Sequence, residues 1–292
     1  MVTPRGPGRI DLDHGPVSLR VLARRTGIPH TAAARKAAEA AEQALAQLAP
    51  LLTTASVPAT ELKFDERWPR VLQLMVEAAK RTGDPTATPM IAVAGSIAEV
   101  SLREALAAGA GTVIVENGGD IALAVERGDS VRVGIARSLV DRTIGHTLTI
   151  TGPSQIGGIC TSGLGGRSFT RGIAEAAVAL SASASQADAC ATLLGNATFM
   201  EDPAITQVPA GCLDPNSDIP HFLVTVSVGR LAEAMIHSAL SLARKKAQEL
   251  IARGLLQGAL VTVQGTSTIV LPESTANLEV TQPGTFKQQR LP

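Results

Sequence analysis

Two acidic residues set among small neighbours mark where this chain could do chemistry. Asp188 lies in Ser185-Gln-Ala-Asp-Ala-Cys-Ala-Thr-Leu-Leu-Gly-Asn196, a stretch that reads as the start of a helix, and Thr192 follows it by one turn. Residues four apart share a helix face, and a carboxylate beside a hydroxyl is an oxygen-only donor set suited to a hard cation such as magnesium. Taken alone, the same residues also describe a helix that holds an acid against its N-terminal dipole.

The second acid, Asp120, closes Thr112-Val-Ile-Val-Glu-Asn-Gly-Gly-Asp-Ile121. A β-branched apolar run reads as a buried strand, and Asn117-Gly118-Gly119 ends it with residues that tolerate positive φ. Two glycines let a backbone approach a ligand closely, and Asp120 is placed to meet a hydroxyl or a metal-bound phosphate. A plain hairpin turn between apolar runs has the same signature.

Two further stretches offer anion-binding groups. Gly95-Ser96 enters a helix that continues to about residue 106, and free N–H groups at such a start attract anions. The segment from Gly152 to Ser168 is rich in glycine and hydroxyls, and Thr161, Ser162 and Arg167 within it supply donors for phosphate or carboxylate. It reads as a ligand-closing loop or as a flexible connection.

The elements that must position these groups follow from periodicity. Alternation around His14-Gly-Pro16 gives an opening hairpin, with His14 as a turn residue. Helical spacing predicts amphipathic helices over residues 30–52 and 66–82. A proline-bearing connection, 83–90, precedes a strand end at 91–94 and the helix entered by Ser96. Short strands are expected at 113–116, 121–126, 130–136 and 147–151, then a buried strand at 172–181 before the Asp188 helix, a stretch whose alanine content is also compatible with a helix. A surface loop covers 202–220, where Asp202, Asp214 and Asp218 act as turn formers. A strand at 221–228, a long helix at 231–255 and strands at 259–263 and 267–271 complete the order. Hairpins and meanders mixed with long helices, without regular strand–helix alternation, favour an α+β fold of antiparallel sheet with packed helices. The expected organisation is one domain over residues 1–272, made of an N-terminal hairpin and helices (1–83), a motif-bearing core (90–200) and a C-terminal strand-helix-strand (220–272), followed by an extended or mobile tail, 273–292.

Four pieces in order, Gly95-Ser-Ile-Ala-Glu99, Asn117-Gly-Gly-Asp-Ile121, Thr161-Ser-Gly163 and Ala187-Asp-Ala-Cys-Ala-Thr192, resemble the ApbE-like superfamily, best known for FAD:protein FMN transferases, and within it a less characterised cytoplasmic branch. The resemblance runs from about residue 90 to 200. It implies that Gly95, Ser96, Asn117, Gly118, Gly119 and Asp120 contact FAD or FMN and that Asp188 and Thr192 bind Mg2+; Thr161, Ser162 and Arg167 join the candidate flavin contacts through the donors they supply. The chain departs from the pattern at two places. Glu99-Val100 stands where transferases usually have Lys-Gly, an anion where a phosphate would be met. No histidine lies between Ser162 and Asp188, where transferases carry a His-Ile-Asp-Pro-like segment.

Composition limits the partners. Lys plus Arg and Asp plus Glu are 26 each in 292 residues, so a net charge of zero argues against nucleic acid or an anionic membrane. Cys160, Cys190 and Cys212 show no metal-type spacing and fit a reducing compartment; with no apolar run long enough for a signal or a span, a cytoplasmic protein is expected. The chain has no Tyr and one Trp, so a flavin would rest on backbone and aliphatic groups. A small-molecule or nucleotide ligand is the expected partner. A protein substrate is compatible with it, and the Ala-rich face of the first helix suits packing within the chain or in a homo-oligomer. Three readings stay open: magnesium-dependent FMN transfer, a flavin-binding or redox accessory without transfer, and another small-molecule enzyme reusing the cleft.

Overall fold

The computed structural model describes residues 1–140, 144–272 and 278–281. The chain opens with strands β1 (Val2–Gly6), β2 (Arg9–His14), β3 (Val17–Arg25) and β4 (Ile28–Pro29), then helices α1 (Thr31–Leu48), α2 (Leu52–Ala55), α3 (Arg70–Thr82) and α4 (Val93–Ala107). Strands β5 (Thr112–Asn117), β6 (Asp120–Ala124), β7 (Ser130–Ala136), β8 (Ile144–Thr151), β9 (Gly158–Ser162) and β10 (Ala176–Ser181) lead to α5 (Ala184–Asn196). A ribbon of β11 (Ile205–Pro209) and β12 (Leu223–Val228), helix α6 (Glu233–Ala252), and strands β13 (Gly258–Val263), β14 (Thr266–Val270) and β15 (Leu278–Thr281) follow.

The main sheet runs β1-β2-β3-β5-β6-β9-β10-β13-β14, with β4 added beside β3. Every one of its pairings is antiparallel, so the fold is α+β as the element order predicts. Helices cover one face. Along β3, Val17, Leu19, Val21 and Ala23 turn inward, and α1 meets them with a face of Ala33, Ala34, Ala37, Ala38, Ala41 and Ala44. Side chains this small let α1 lie close to both sheet and α4. The second face is covered in part by a three-stranded sheet, β15-β8-β7, through Val131, Val133, Leu148 and Ile150 against Ile159, Val178, Leu180 and Leu260.

Period-two alternation locates the chemistry. On β9, Ile159 faces the covering sheet, which turns Gly158, Cys160 and Ser162 toward the helices. On β5 and β6, Val113, Val115 and Ala122 belong to the helix-side core, so Asn117 and Asp120, which pair across the hairpin, face the helices too.

Several expectations change. Residues 91–94 are not a strand end: Pro89–Ala92 is a 3-10 turn that runs directly into α4, because proline presets helical φ at a first turn. The glycine-rich stretch 152–168 holds the buried strand β9 at its centre, and the 202–220 loop contains β11. Residues 278–281 pair with β8, while the rest of 273–292 lies outside the described residues. Asp202 and Asp214 are turn formers, accepting from the N–H groups of Ala204 and Asn216, whereas Asp218 accepts from the Thr88 hydroxyl. Among the described residues no helix is long and apolar enough to cross a membrane.

Helix α5 lies on β9 at a glycine: a Cβ at Gly158 would stand 2.4 Å from Ala184 Cα. Gly158→Ala is therefore expected to lower the unfolding free energy by about 1–3 kcal/mol, read as a lower urea midpoint. An unchanged midpoint would show that α5 can lift off the strand without cost.

Candidate functional site

Helices α4 and α5 cross where a Cβ on Gly95 would lie 2.3 Å from the Ala184 carbonyl oxygen. At that crossing each helix caps the other. Residue 92, the N-cap of α4, is an alanine with no side-chain acceptor; instead Asp188 Oδ2, from α5, accepts from Gly95 N at 2.8 Å, and the Ala94 N–H also reaches the carboxylate. In return Glu99 Oε2, from α4, accepts from Ser185 N at 3.1 Å and Ser185 Oγ at 2.7 Å at the start of α5. Arg103 donates to the other oxygen of Glu99 at 2.6 Å. Helix starts expose N–H groups with no partner of their own, and two acids from the opposite helices satisfy them.

The second acid of the site comes from the sheet. Gly118 and Gly119 close the β5–β6 hairpin at φ +67° and +113°, which a side chain rarely tolerates. Glu116 Oε1 accepts from Gly119 N at 3.0 Å and so fixes the turn. Asp120 then projects from β6 toward the helices, and its Oδ1 accepts from Thr161 N at 3.0 Å.

Asp120 and Asp188 meet in the gap between α4, α5 and the sheet. Both keep some solvent-accessible surface while lying deep among protein atoms. Burial pushes the Asp188 carboxyl well above the usual range, and the neighbouring Asp120 charge pushes it further against the N–H groups of Gly95 and Ala94. Asp120 is pushed up to about 6, again by burial first; the Thr161 N–H, the Cys160 thiol and Arg167 act the other way. Burial, then Asp120 and Asp188, raise the Cys160 thiol well above its ordinary value. Sequence spacing gave no reason to single out Cys160; its place on the Gly158–Ser162 alternation is the signal that finds it.

Unpaired polar atoms lie on the elements that adjoin those carrying the two acids. Ser96 Oγ, Asn117 Oδ1 and Ser162 Oγ are buried without a hydrogen-bond partner, while Asn117 Nδ2 donates to Ala94 O at 3.2 Å. Buried polar atoms left unmatched are costly, so these three oxygens are ready to take a ligand or water. Among the described residues no three His, Cys, Asp or Glu side chains converge as a metal centre. Two carboxylates that repel each other, beside unmatched oxygens, nevertheless suit a hard divalent cation completed by ligand or water oxygens.

The other sequence-derived residues are placed as follows. Thr192 is half-buried one turn beyond Asp188, and its hydroxyl makes no hydrogen bond among the described residues. Thr161 reaches the site through its backbone N–H. The Arg167 guanidinium packs over Gly118, where a Cβ would be 2.9 Å from Nη1, and donates to Pro16 O at 3.0 Å. Glu99 is a cap for α5, which is why an anion stands there. A separate surface hollow of about 400 Å3 is lined by Phe199, Met200, Glu201, Asp202, Pro203, Ile205 and Gln207; Asp202 and Gln207 are engaged with the backbone at Ala204 and Arg171, and it is not the site of the paired acids.

Comparison with known proteins follows the same lines. The family described as "AbpE bacteria" matches residues 1–269. A UPF0280 protein of Methanococcus aeolicus is 36% identical over 180 residues, covering 60% of this chain and 69% of that protein. A UPF0280 protein of Methanococcoides burtonii is 43% identical over 132 residues, 44% of this chain and 53% of that one. The crystal structure of the ApbE protein from Thermotoga maritima superposes with a TM-score of 0.50 at 12% identity, covering 92% of this chain and 97% of that one, a likeness of fold. The apo flavinyl transferase ApbE of Pseudomonas stutzeri gives 0.49 at 12% identity, covering 94% and 95%.

Two predictions test this geometry. A carboxyl whose pKa is raised on folding contributes stability below its unfolded pKa and loses it as pH rises through the folded value. For Asp120 that window runs from 3.8 to about 6, and Asp188, raised further, extends it upward. Asp188→Asn keeps an oxygen to cap α4 and removes one charge. Relative to it, the wild-type chain in cation-free buffer should lose stability progressively as the pH rises above about 4, measured by urea unfolding; a difference that stays constant with pH would overturn the raised Asp188 carboxyl. Glu99→Ala removes the one acceptor that both Ser185 donors share and should cost about 1–3 kcal/mol, with Glu99→Gln costing clearly less.

Proposed function

The chain belongs to the AbpE bacteria family, and from that premise we propose that it binds FAD by its pyrophosphate at the Asp120–Asp188 gap, with a magnesium ion, and transfers FMN to a hydroxyl. The observation that carries this reading is the pair itself: two carboxylates set deep among protein atoms, both raised by burial, with the Asp120 charge raising Asp188 further, on the motifs that resemble the FMN transferases. A divalent cation bound there would neutralise charge on the pyrophosphate. The chain's own residues do the rest. Asp188 and Asp120 are held in place by backbone donors from α4 and β9. The glycine turn gives a ligand close access to the backbone, and Arg167 above it supplies a fixed cation for a phosphate oxygen. Ser96, Asn117 and Ser162 offer unmatched oxygens for ligand or water. In the transfer, the acceptor oxygen bonds to the phosphorus of the FMN half, the anhydride bond to AMP breaks, and the hydroxyl proton leaves to solvent. A Ser or Thr of a protein partner is the acceptor in this proposal, and the compartment is the cytoplasm.

A second reading, binding without transfer, is favoured by one specific observation. Glu99 spends its carboxylate on α5, so the chain carries no cation where transferases usually have a lysine.

One experiment separates the two. The purified chain is titrated with FAD and magnesium chloride by calorimetry, then incubated and assayed for AMP. Magnesium-linked binding with AMP release, both lost in an Asp188→Asn variant that remains folded, is expected. Binding without AMP would select the accessory role, and absence of binding would overturn the flavin reading.

A further inference from the structure

His146 on β8 is 5% exposed, and neither its Nδ1 nor its Nε2 has a hydrogen-bond partner among the described residues. It stands opposite Ile135 of β7 and two residues before Leu148, so its ring points with theirs into the layer between the two sheets. Ile135 and Leu148 meet Val178, Leu180 and Leu260 of the main sheet there. A neutral imidazole in such a layer leaves one N–H unmatched. An imidazolium leaves two, together with a charge, which is far more costly away from water.

Nothing around the ring favours its charged form. Burial first, and then Arg137 on the chain leaving β7, hold the His146 ring below its ordinary value of 6.5. The main-sheet side chains of the layer, Ile159, Val178, Leu180 and Leu260, are apolar. Glu175, at the start of β10, accepts from Gly265 N through Oε2. Glu279 of β15 pairs with Thr149 and is exposed, and Arg132 of β7 is exposed on the outer face.

This end of the covering sheet is lightly held, and it leads to the paired acids. The β7–β8 ladder slips between Ile135 and Ala136. Arg137 then lies across Gly145, where a Cβ would collide with its Cγ, and its Nη2 donates to Gly265 O at 3.0 Å. Leu139 N donates to Glu175 O at a long 3.4 Å. The side chains of Leu139 and Val140 press on the glycines of the loop after β9: Cβ atoms at Gly166 and Gly165 would lie 3.1 Å from Leu139 Cδ1 and 2.6 Å from Val140 Cγ2. That loop carries Arg167, which packs over Gly118 in the turn that ends at Asp120.

We propose that His146 is a proton switch: its protonation drives the β7–β8 end of the covering sheet away from the main sheet and, through Leu139 and Val140, frees the Arg167 loop over the acid pair. The switch is independent of which ligand the acids take. A histidine held below its ordinary value in the closed form supports that form in full above the ordinary 6.5 and withdraws the support as pH falls toward the lowered value. With the open form titrating at the ordinary value, the closed–open balance shifts by up to about tenfold between about pH 7.5 and about pH 5.5.

Hydrogen exchange read by mass spectrometry tests the switch on the wild-type chain and on His146→Gln and His146→Leu at those two pH values, with rates corrected for the intrinsic pH dependence of exchange. Expected is up to about tenfold more opening at the lower pH over residues 130–136, 144–151 and 163–168 of the wild-type chain, and no such change in either variant. His146→Leu keeps the layer apolar and covers the case in which the buried amide of His146→Gln prevents folding. The same pH response in wild type and variants would overturn the switch. A response confined to the two strands, with 163–168 unmoved, would overturn its coupling to the site. The His146 ring followed by NMR in the wild-type chain should titrate below 6.5; a ring that titrates at or above that value would overturn the switch whether or not the variants fold.

Discussion

The arrangement depends on a reciprocal exchange of acids between two helix starts. Helix α4 has no capping side chain of its own, and α5 meets it so closely that only glycine fits at position 95. Asp188 completes α4 and Glu99 completes α5. The N–H groups at a helix start are obligatory donors, so the two helices hold each other in register, one acid for each start. The closeness of the crossing makes the exchange possible, since a carboxylate on a short side chain can reach the opposite helix only when the backbones nearly touch.

That exchange gives Asp188 two roles that pull in opposite directions. As a cap it favours the ionised form, because backbone donors stabilise a carboxylate. As one of two acids in a crowded gap it is pushed toward the neutral form by burial and by Asp120. Burial and repulsion win for both residues. Glu99 shows the contrasting case: its anion is matched by Ser185 and Arg103, and it is spent on architecture. Two acids on neighbouring helices thus differ in availability because their partners differ.

Much of the fold was legible because its signals are local. The Asn-Gly-Gly turn, the alternation of β3 and the helical spacing of α1 and α3 each depend on residues a few positions apart, and the α+β class followed from their order. The gathering of Asp120 with Asp188 was legible only as motifs in sequence order, since neither residue's neighbours reveal that β6 and α5 adjoin. What escaped was set by tertiary contact. The helical start at Val93 is fixed by an acid distant in sequence, so residues 91–94 resembled a strand end. Strand β9 was hidden by glycines that weaken any strand signal but are needed where α5 rests on the sheet. The meaning of Glu99 was hidden for the same reason: as a substitution in a motif it looks like loss of a phosphate contact, whereas its partner is the first turn of α5.

The scarcity of large side chains around the crossing is the condition for the site. Gly95, Ala184, Gly158 and Cys160 let three backbones converge, and a convergence of backbones brings helix starts, strand N–H groups and short acids within reach of one another. Larger residues would have filled the gap with apolar packing and kept the carboxylates apart. Close packing of small residues would ordinarily leave a dry, inert core. Here it ends in paired acids and unmatched oxygens. The stability supplied by the alanine-rich helices and the long antiparallel sheet is what allows such a cluster to persist.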